Sequence, residues 1–333
     1  MTNITVLAGG VGGARFTRGL LAHLRAADPD ATVTVIANTG DDLWLTGLRV
    51  CPDLDSIMYT LGGANDDERG WGRMGESERV SAELTAYGVG WPWFTLGDLD
   101  LGTHIARSSW LRDGLPLSEA TARLAARWNL GVTLLPATDD EVETIVTVAG
   151  DESADIAIED MHFEEWWVRL RASRPALAFT QRNVSVARPA PGVLEAIATA
   201  DVVLFAPSNP VVSIGTILGI PGIADAVRAT SAPVIGVSPI IGGAVVRGMA
   251  DACLGAIGVE TSAVAVARHY GARRNGGLID GWLVDEVDAE AVSALHADGI
   301  RSVARPLWFS SVEETAAIAG DALSLANVPH SGR

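Results

Sequence analysis

"VLAGGVGGARFTRGLL", residues 6–21, decides how the chain begins to fold. With the residues before it, "NITVLAGG" places Ile4, Val6 and Leu7 in a run of branched or bulky apolar side chains that suits a strand. From there on, Phe16, Leu20, Leu21 and Leu24 recur at helical spacing. Gly9, Gly10, Gly12 and Gly13 are therefore expected between a strand and a helix. Glycine tolerates positive φ and lets a ligand approach the main chain. A helix start adds free N–H groups and a partial positive charge. The expected guest is a phosphate; the plainer alternative is a tight turn that holds nothing.

The kind of phosphate compound is harder to read. The dinucleotide fingerprint G-x-G-x-x-G, begun at Gly10, fails where Arg15 replaces its last glycine. The chain has no lysine: all 24 basic residues are arginine. That excludes a Walker lysine, a Schiff-base lysine and a lysine general base. Phosphate contacts must come from arginine and from backbone N–H groups.

The chain of 333 residues suggests one large or two medium domains, and an apolar content of 48% supports a large core. Its net charge of −17 argues against nucleic acid as a partner. Cys51 and Cys253, the only cysteines, form no C-x-x-C pair, so neither a zinc site nor a disulfide framework is indicated. No uncharged apolar run approaches the ~20 residues of a membrane span. The N-terminus starts at once with a strand and carries no signal-peptide pattern, so a reducing cytoplasm is the expected location.

Further strand-like runs end in loops with unusual chemistry. Thr32–Ala37 leads to Asn38, Asp41 and Asp42. Val202–Ala206 leads to Pro207, Ser208, Asn209 and Pro210. Val234–Val237 leads to Ser238 and the pair Gly242–Gly243, and Leu278–Val284 is a later strand. Helical segments at Ser118–Trp128, Pro191–Ala200 and Ala244–Gly255 alternate with them. Such continuous apolar strands between helices predict an α/β fold: a Rossmann-like parallel sheet with helices on both faces. Ligands then bind beyond the carboxyl ends of the strands, at a switch point. The charged, aromatic stretch around "MHFEEWWVRLRASRP" breaks the rhythm and reads as an inserted smaller α/β or helical subdomain. The expected organisation is residues 1–150 for the ligand-binding part, 151–190 for this cap, 191–325 for the rest of the core, and a frayed tail over 326–333. Asn65–Arg79 is expected to be a mobile loop.

Asp41 and Asp42 at a strand end suit Mg²⁺, which takes oxygen ligands and bridges to phosphates. Asp53 and Asp55 in "CPDLDS" share a face if extended; Asp53 equally suits a helix cap. "FTLGDLDLGTHIARSSWLRDG" places His104, Arg107 and Ser108 on one helical face, where Arg107 suits bidentate contact with an oxyanion; His104 alone reads as structural. Six of the ten tryptophans lie between Trp44 and Trp128. Their flat rings suit a planar ligand, though core packing explains most of them equally well. Ser208, Asn209 and Ser213 in "APSNPVVSIGTIL" suggest a second anion cradle ahead of a helix.

The series "GGVGGAR", "NTGDDLWLTGLRVCPDLDSIMYTLGG", "LGDLDLGTHIARSSWLRDG", "APSNPVVSIGTILGIPG" and "SPIIGG" resembles the 2-phospho-L-lactate transferase family, over nearly the whole chain from Thr5 to about Ser324. The resemblance implies transfer of a phosphate-linked three-carbon acid from a guanosine diphospho-donor to the terminal hydroxyl of the deazaflavin Fo. GMP is released, Mg²⁺ is the cofactor, and the step lies in coenzyme F₄₂₀ biosynthesis. The donor is enolpyruvyl- or lactyl-diphosphoguanosine; an arginine- and alanine-rich composition leans to enolpyruvyl. Carried over by position, Asp55 contacts Fo, as does Thr95 where the family can place a basic residue; Trp93 stands beside it. Gly9, Gly10, Gly12, Gly13, Ser208, Asn209, Ser213 and Ser238 hold the nucleotide, Asp41 and Asp42 the metal. Asp55, Asp42 and Arg107 are the expected catalytic groups, with Asp55 orienting or deprotonating the hydroxyl. A homodimer is implied, with hand-off to and from the pathway's donor-forming guanylyltransferase and glutamate ligase. The nearest alternative is a related gluconeogenesis-factor family that binds UDP-sugar without turnover. "PDLD" and the tryptophan-rich region separate this chain from it. A nicotinamide-dependent oxidoreductase is disfavoured by the broken fingerprint.

Overall fold

The computed structural model describes residues 2–150 and 158–326. Its centre is a sheet of seven parallel strands, in the order Arg301–Ala304, Gly281–Val284, Val234–Val237, Val202–Phe205, Asn3–Ala8 (β1), Thr32–Ala37 (β2) and Thr133–Pro136. β1 pairs with β2 on one side, Ile4 opposite Val33, and with Val202–Phe205 on the other, Ile4 opposite Val202. From β1 the chain first builds outward through β2, then returns to its other edge. The switch point therefore lies at the carboxyl ends of β1 and Val202–Phe205, where the glycine turn and the Pro207–Pro210 turn leave the sheet.

Alternation along these strands feeds two cores. Val6, Ala8, Val35, Ala37, Val202 and Leu204 face one; Leu7, Ile36, Val203 and Phe205 face the other. The first is closed by Phe16 and Leu20 of helix Gly10–Ala27 (α1), Leu54 and Ile57 of helix Pro52–Leu61 (α2), and Ile318 and Ala322 of helix Val312–Ala326. The second is closed by Ile197, Ile217, Val266 and Leu295 of four other helices. Helices on both faces are thus borne out, and each sheet face being covered explains the unbroken apolar strands.

Some local readings change. α1 starts at Gly10, so Gly10, Gly12 and Gly13 form its first turn and only Gly9 precedes it. The helix read over Ala244–Gly255 begins instead at Ala250. Gly242 and Gly243, both at positive φ, fold Ala244–Val245 back against Ile240–Ile241 as a hairpin. The smaller unit expected over 151–190 is a three-stranded antiparallel sheet whose central strand, Glu143–Ala149, comes ahead of that range; Ile158–His162 and Ala176–Arg182 flank it. Residues 151–157, and the tail from 327, lie outside the described residues.

Asn65–Arg79 is tied down at several points. Ser77 exchanges backbone and hydroxyl hydrogen bonds with Asp98 at the start of helix Asp98–Arg112. Glu76 accepts from the amides of Arg73 and Asp100, and Arg73 Nη1 donates to the Leu99 carbonyl (3.0 Å). Among the described residues no helix is long and apolar enough to cross a membrane.

Candidate functional site

One cleft of about 850 Å³ opens at the switch point. One of its walls is made by the two turns. The Ser208 hydroxyl accepts from Gly9 N (2.9 Å) and donates to Gly9 O (2.7 Å), clasping one turn to the other. The glycines are there for close approach. A Cβ on Gly9 would stand 2.5 Å from Asp53 Oδ2, and one on Gly12 2.9 Å from the Pro207 carbonyl oxygen. Gly9, Gly10 and Gly12 line the cleft, whereas Gly13 is buried beneath Ser208. Gly13 N donates to Gly9 O at 3.3 Å and Gly10 N is directed at Asp53, so the amides of Val11 and Gly12 are the donors this wall offers.

The second turn satisfies itself. Asn209 Oδ1 accepts from the amides of Val211 (2.9 Å) and Val212 (3.2 Å), and its main-chain oxygen from Ser213 and Ile214. The helix that follows, Ile214–Gly219, has only six residues. Asn209 and Ser213 reach the cleft as side chains and shape. Ser238 also lines it, with its hydroxyl closing its own turn through Ile240.

Below the turns lies a group of acids. Asp41, Asp53 and Glu164 all line the cleft and all are buried. Asp53, within the first turn of α2, does not cap its own helix. It accepts from Asn38 Nδ2 (2.9 Å) and sits against Gly9 and Gly10 at the start of α1. Burial and then the charge of Asp53 drive the Asp41 carboxyl well above the ordinary range. Burial raises Asp53 to about 6, and burial with the Asp53 charge raises Glu164 to about 8. Among the described residues none of the three forms an ion pair, and no donor reaches Asp41 Oδ1. Asp42 behaves differently. It has no exposed surface, does not line the cleft, and faces Arg49 at 3.7 Å, with burial raising it to about 7. Glu164 was not singled out from the sequence; its only signal was the acidic pair inside "HFEEWW".

The far wall is built by α2, helix Asp98–Arg112 and the 65–79 segment. Asp55 and Arg107, buried side by side, form a two-pronged ion pair: Nη2 meets Oδ1 and Nη1 meets Oδ2 at 3.1 Å. Burial works to lower the guanidinium, but the charges around it, Asp55 first, leave it above its ordinary value. Arg107 Nη1 also faces His104 Nδ1 (3.2 Å) and donates to the Arg49 carbonyl (3.2 Å). The His104 ring stands between two carboxylates, with Nδ1 3.6 Å from Asp55 Oδ2 and Nε2 3.2 Å from Asp100 Oδ1. Tyr59 donates to the same Asp100 oxygen at 2.6 Å. Asp55, Tyr59, Asp100 and His104 all reach the cleft; Arg107 stands behind Asp55.

Trp93 and Thr95 line this wall as expected, and Trp93 stacks on Trp91 with centroids 4.7 Å apart. Of the other tryptophans in that stretch, only Trp71 reaches the cleft, carrying the Arg69 guanidinium 3.9 Å above its ring. Trp128 packs edge-on against Tyr59, and Trp44 donates to Glu141. The cleft adds Trp167 and Trp308, which sequence spacing did not mark.

The model of the family described as "2-phospho-L-lactate transferase CofD" matches residues 4–308. A protein of Thermobifida fusca named phosphoenolpyruvate transferase is 60% identical over 327 residues, covering 97% of each chain. Its namesake in Streptomyces griseus is 57% identical over 323 residues, 97% of this chain and 98% of that one. Another, from Mycobacterium sp. strain JLS, is 51% identical over 334 residues, 98% and 99%. Among solved structures, a member of the UPF0052 family from Bacillus halodurans superposes with a TM-score of 0.63 at 16% identity, over 97% of this chain and 98% of that one. That similarity concerns the fold alone.

Proposed function

The chain belongs to the 2-phospho-L-lactate transferase family, and on that premise we propose that it moves a phosphoenolpyruvyl group from enolpyruvyl-diphosphoguanosine to the terminal hydroxyl of Fo, releasing GMP. The observation that carries this reading is that one cleft joins a turn of helix-start amides and a set of buried carboxylates to an aromatic wall carrying Asp55. The preference for enolpyruvate over lactate rests on the names of the relatives.

Mg²⁺ suits the acidic group by the chemistry of its oxygens, although among the described residues the set whose ligand atoms all lie within 4.8 Å of one another is Asp55, Asp100 and His104. Three buried carboxylates without a partner cation are costly, and an all-oxygen set suits this ion. Asp41, Asp53 and Glu164 would hold it only by drawing closer, since their ligand atoms do not all lie within 4.8 Å of one another; Asp42, paired with Arg49, would support Asp41 from behind. When bound, the ion supplies positive charge to diphosphate oxygens. The protein's own part is positional. The amides of Val11 and Gly12 in the first turn of α1 bind phosphate oxygens, and the Ser208 clasp fixes the turn that presents them. Arg107 holds both Asp55 oxygens, so Asp55 meets the cleft in one orientation and accepts a hydrogen bond from the attacking hydroxyl. With its carboxylate held by a guanidinium, Asp55 orients that hydroxyl toward phosphorus. Such positioning is the main requirement of an in-line phosphoryl transfer.

Mass spectrometry of products from Fo, Mg²⁺ and each of the two guanosine donors tests the reading. Dehydro coenzyme F₄₂₀-0 and GMP are expected. No product with either donor rejects it, and product from the lactyl donor alone rejects the choice of acid. Asp55→Asn should lower kcat by about 10²-fold while GDP still binds; an unchanged rate removes Asp55 from the mechanism. Quenching of Fo fluorescence on titration separates the transferase from a UDP-sugar-binding protein, which should show none.

A further inference from the structure

Two arginines in the cleft are left over. Arg15 stands in the second turn of α1, on the nucleotide side. Arg247 stands on the segment between the Ile240–Val245 hairpin and helix Ala250–Ala256, and both line the cleft. Neither forms an ion pair among the described residues. Arg15 Nε is buried and has no hydrogen-bond partner. The one hydrogen bond of Arg247 is long, from Nη2 to the Gly70 carbonyl at 3.5 Å. That contact crosses to the 65–79 segment, next to Trp71 on the acceptor side.

We infer that Arg15 and Arg247 together form the subsite for the carboxylate of the transferred three-carbon acid. The inference rests on the transferase reading above and deepens it. Unpaired guanidiniums sharing one cleft in a chain of net charge −17 are a poor arrangement unless an oxyanion joins them. Burial and the nearby Arg15 charge press the Arg247 guanidinium below its ordinary value. The donor carries two kinds of anion. Its diphosphate has the Val11 and Gly12 amides of α1; among the described residues lining the cleft, Arg15 and Arg247 are the arginines left for its carboxylate. The transferred acid must also lie between the nucleotide and the acceptor hydroxyl. Arg15, on the nucleotide wall, and Arg247, touching the acceptor wall at Gly70, bracket that position. The fork of an arginine fits a carboxylate with two parallel hydrogen bonds, which a single point charge does not reproduce.

Calorimetric titration of R15Q and R247Q with two probes, in the absence of Fo, tests this. GDP carries the diphosphate without the acid; enolpyruvyl-diphosphoguanosine carries both. Each variant should bind the full donor about 10–100-fold more weakly than the wild-type chain and GDP within about twofold. R247K, which keeps the charge and loses the fork, should fall between R247Q and wild type. Equal weakening for GDP and donor overturns the carboxylate assignment and moves the pair to the diphosphate; no weakening of either removes the pair from donor binding. Wild-type chain that binds neither probe is a failure of the transferase reading, distinct from both. Thermal melting of each variant beside wild type confirms that folded proteins are being compared.

Discussion

At the nucleotide end of the cleft, Gly9 and Ser208 are joined main chain to hydroxyl, with nothing larger than a serine involved. At the acceptor end, Asp55 is held by Arg107, Arg107 faces His104, and His104 and Tyr59 meet at Asp100, all through long or charged side chains. The first end gains its shape from the absence of atoms: a single Cβ on Gly9 or Gly12 would collide with the facing turn. The second gains it from charge balance inside a nearly dry network. Substitutions should therefore fail differently at the two ends, sterically at one and electrostatically at the other.

The sharpest break in that contrast is Arg107→Met. It leaves Asp55 buried with no cation beside it, at a cost of about 3–5 kcal/mol, measurable by urea denaturation. Turnover should fall with it, since among the described residues only His104 Nδ1, 3.6 Å from Oδ2, is left beside the Asp55 carboxylate. Adding Asp55→Asn in the same chain should recover part of the stability and none of the activity. A double variant as unstable as Arg107→Met alone would show that packing, not charge, sets the acceptor end.

Gly12→Ala probes the other end. Its methyl would meet the Pro207 carbonyl at 2.9 Å, backbone that cannot swing aside as a side chain does. A loss of about 1–3 kcal/mol is expected, with weaker GDP binding and unchanged Fo quenching. If Fo quenching falls in step with GDP binding, the two ends are not independent.

The acidic group between the ends should answer to pH. Asp41, Asp53 and Glu164 are raised in the folded chain, Asp53 to about 6 and Glu164 to about 8, from ordinary values of 3.8 and 4.5. A raised carboxyl favours the fold while it is protonated. Its stabilisation is complete below the ordinary value and is lost as pH rises through the folded one. In the presence of a chelator, Tm should fall by a few degrees between about pH 5 and pH 8.5, at roughly 2–4 °C per kcal/mol or less for a chain of this size. Glu164→Gln should flatten the fall, and Mg²⁺ should restore wild-type Tm at the alkaline end. A Tm equally flat in both chains would mean that the three acids do not share one field.

Most of the scaffold was legible because its signals are local. β2 and Val234–Val237 are bounded as their apolar runs and following turns indicate. The glycine turn announces itself without knowledge of what faces it, although Ser208 lies 199 residues away. The network could be read only in part. Asp55 and Arg107 each looked reactive, but that they neutralise each other follows from packing α2 against helix Asp98–Arg112, which no spacing encodes. Glu164 joins Asp41 and Asp53 only because the antiparallel insertion folds back over the switch point. Asp42, adjacent to Asp41 in sequence, turns instead to Arg49, because neighbouring residues leaving a strand point to different sides. Arg79 and the residues before it looked loose for want of apolar periodicity, yet Glu76 and Ser77 fasten the segment by polar contacts to one helix start.

Thr95 gives the smallest effect and the finest test of the comparison. The family resemblance implies a position that can carry a basic residue, and Thr95 lines the cleft beside Trp93, on the wall proposed for the acceptor. The charge missing there is not missing from the wall as a whole, because Arg107 already neutralises Asp55 from behind. A hydroxyl at position 95 thus has only a neutral contact to give, worth about 0.5–1.5 kcal/mol. Thr95→Ala should weaken Fo quenching by no more than about tenfold and leave GDP binding untouched. Thr95→Arg should not tighten Fo, since its charge would face an acid already paired. A gain of tenfold or more in Thr95→Arg would mean that Asp55 still presents net negative charge to the cleft, and the electrostatic account of the acceptor end would have to be redrawn around an incompletely neutralised pair.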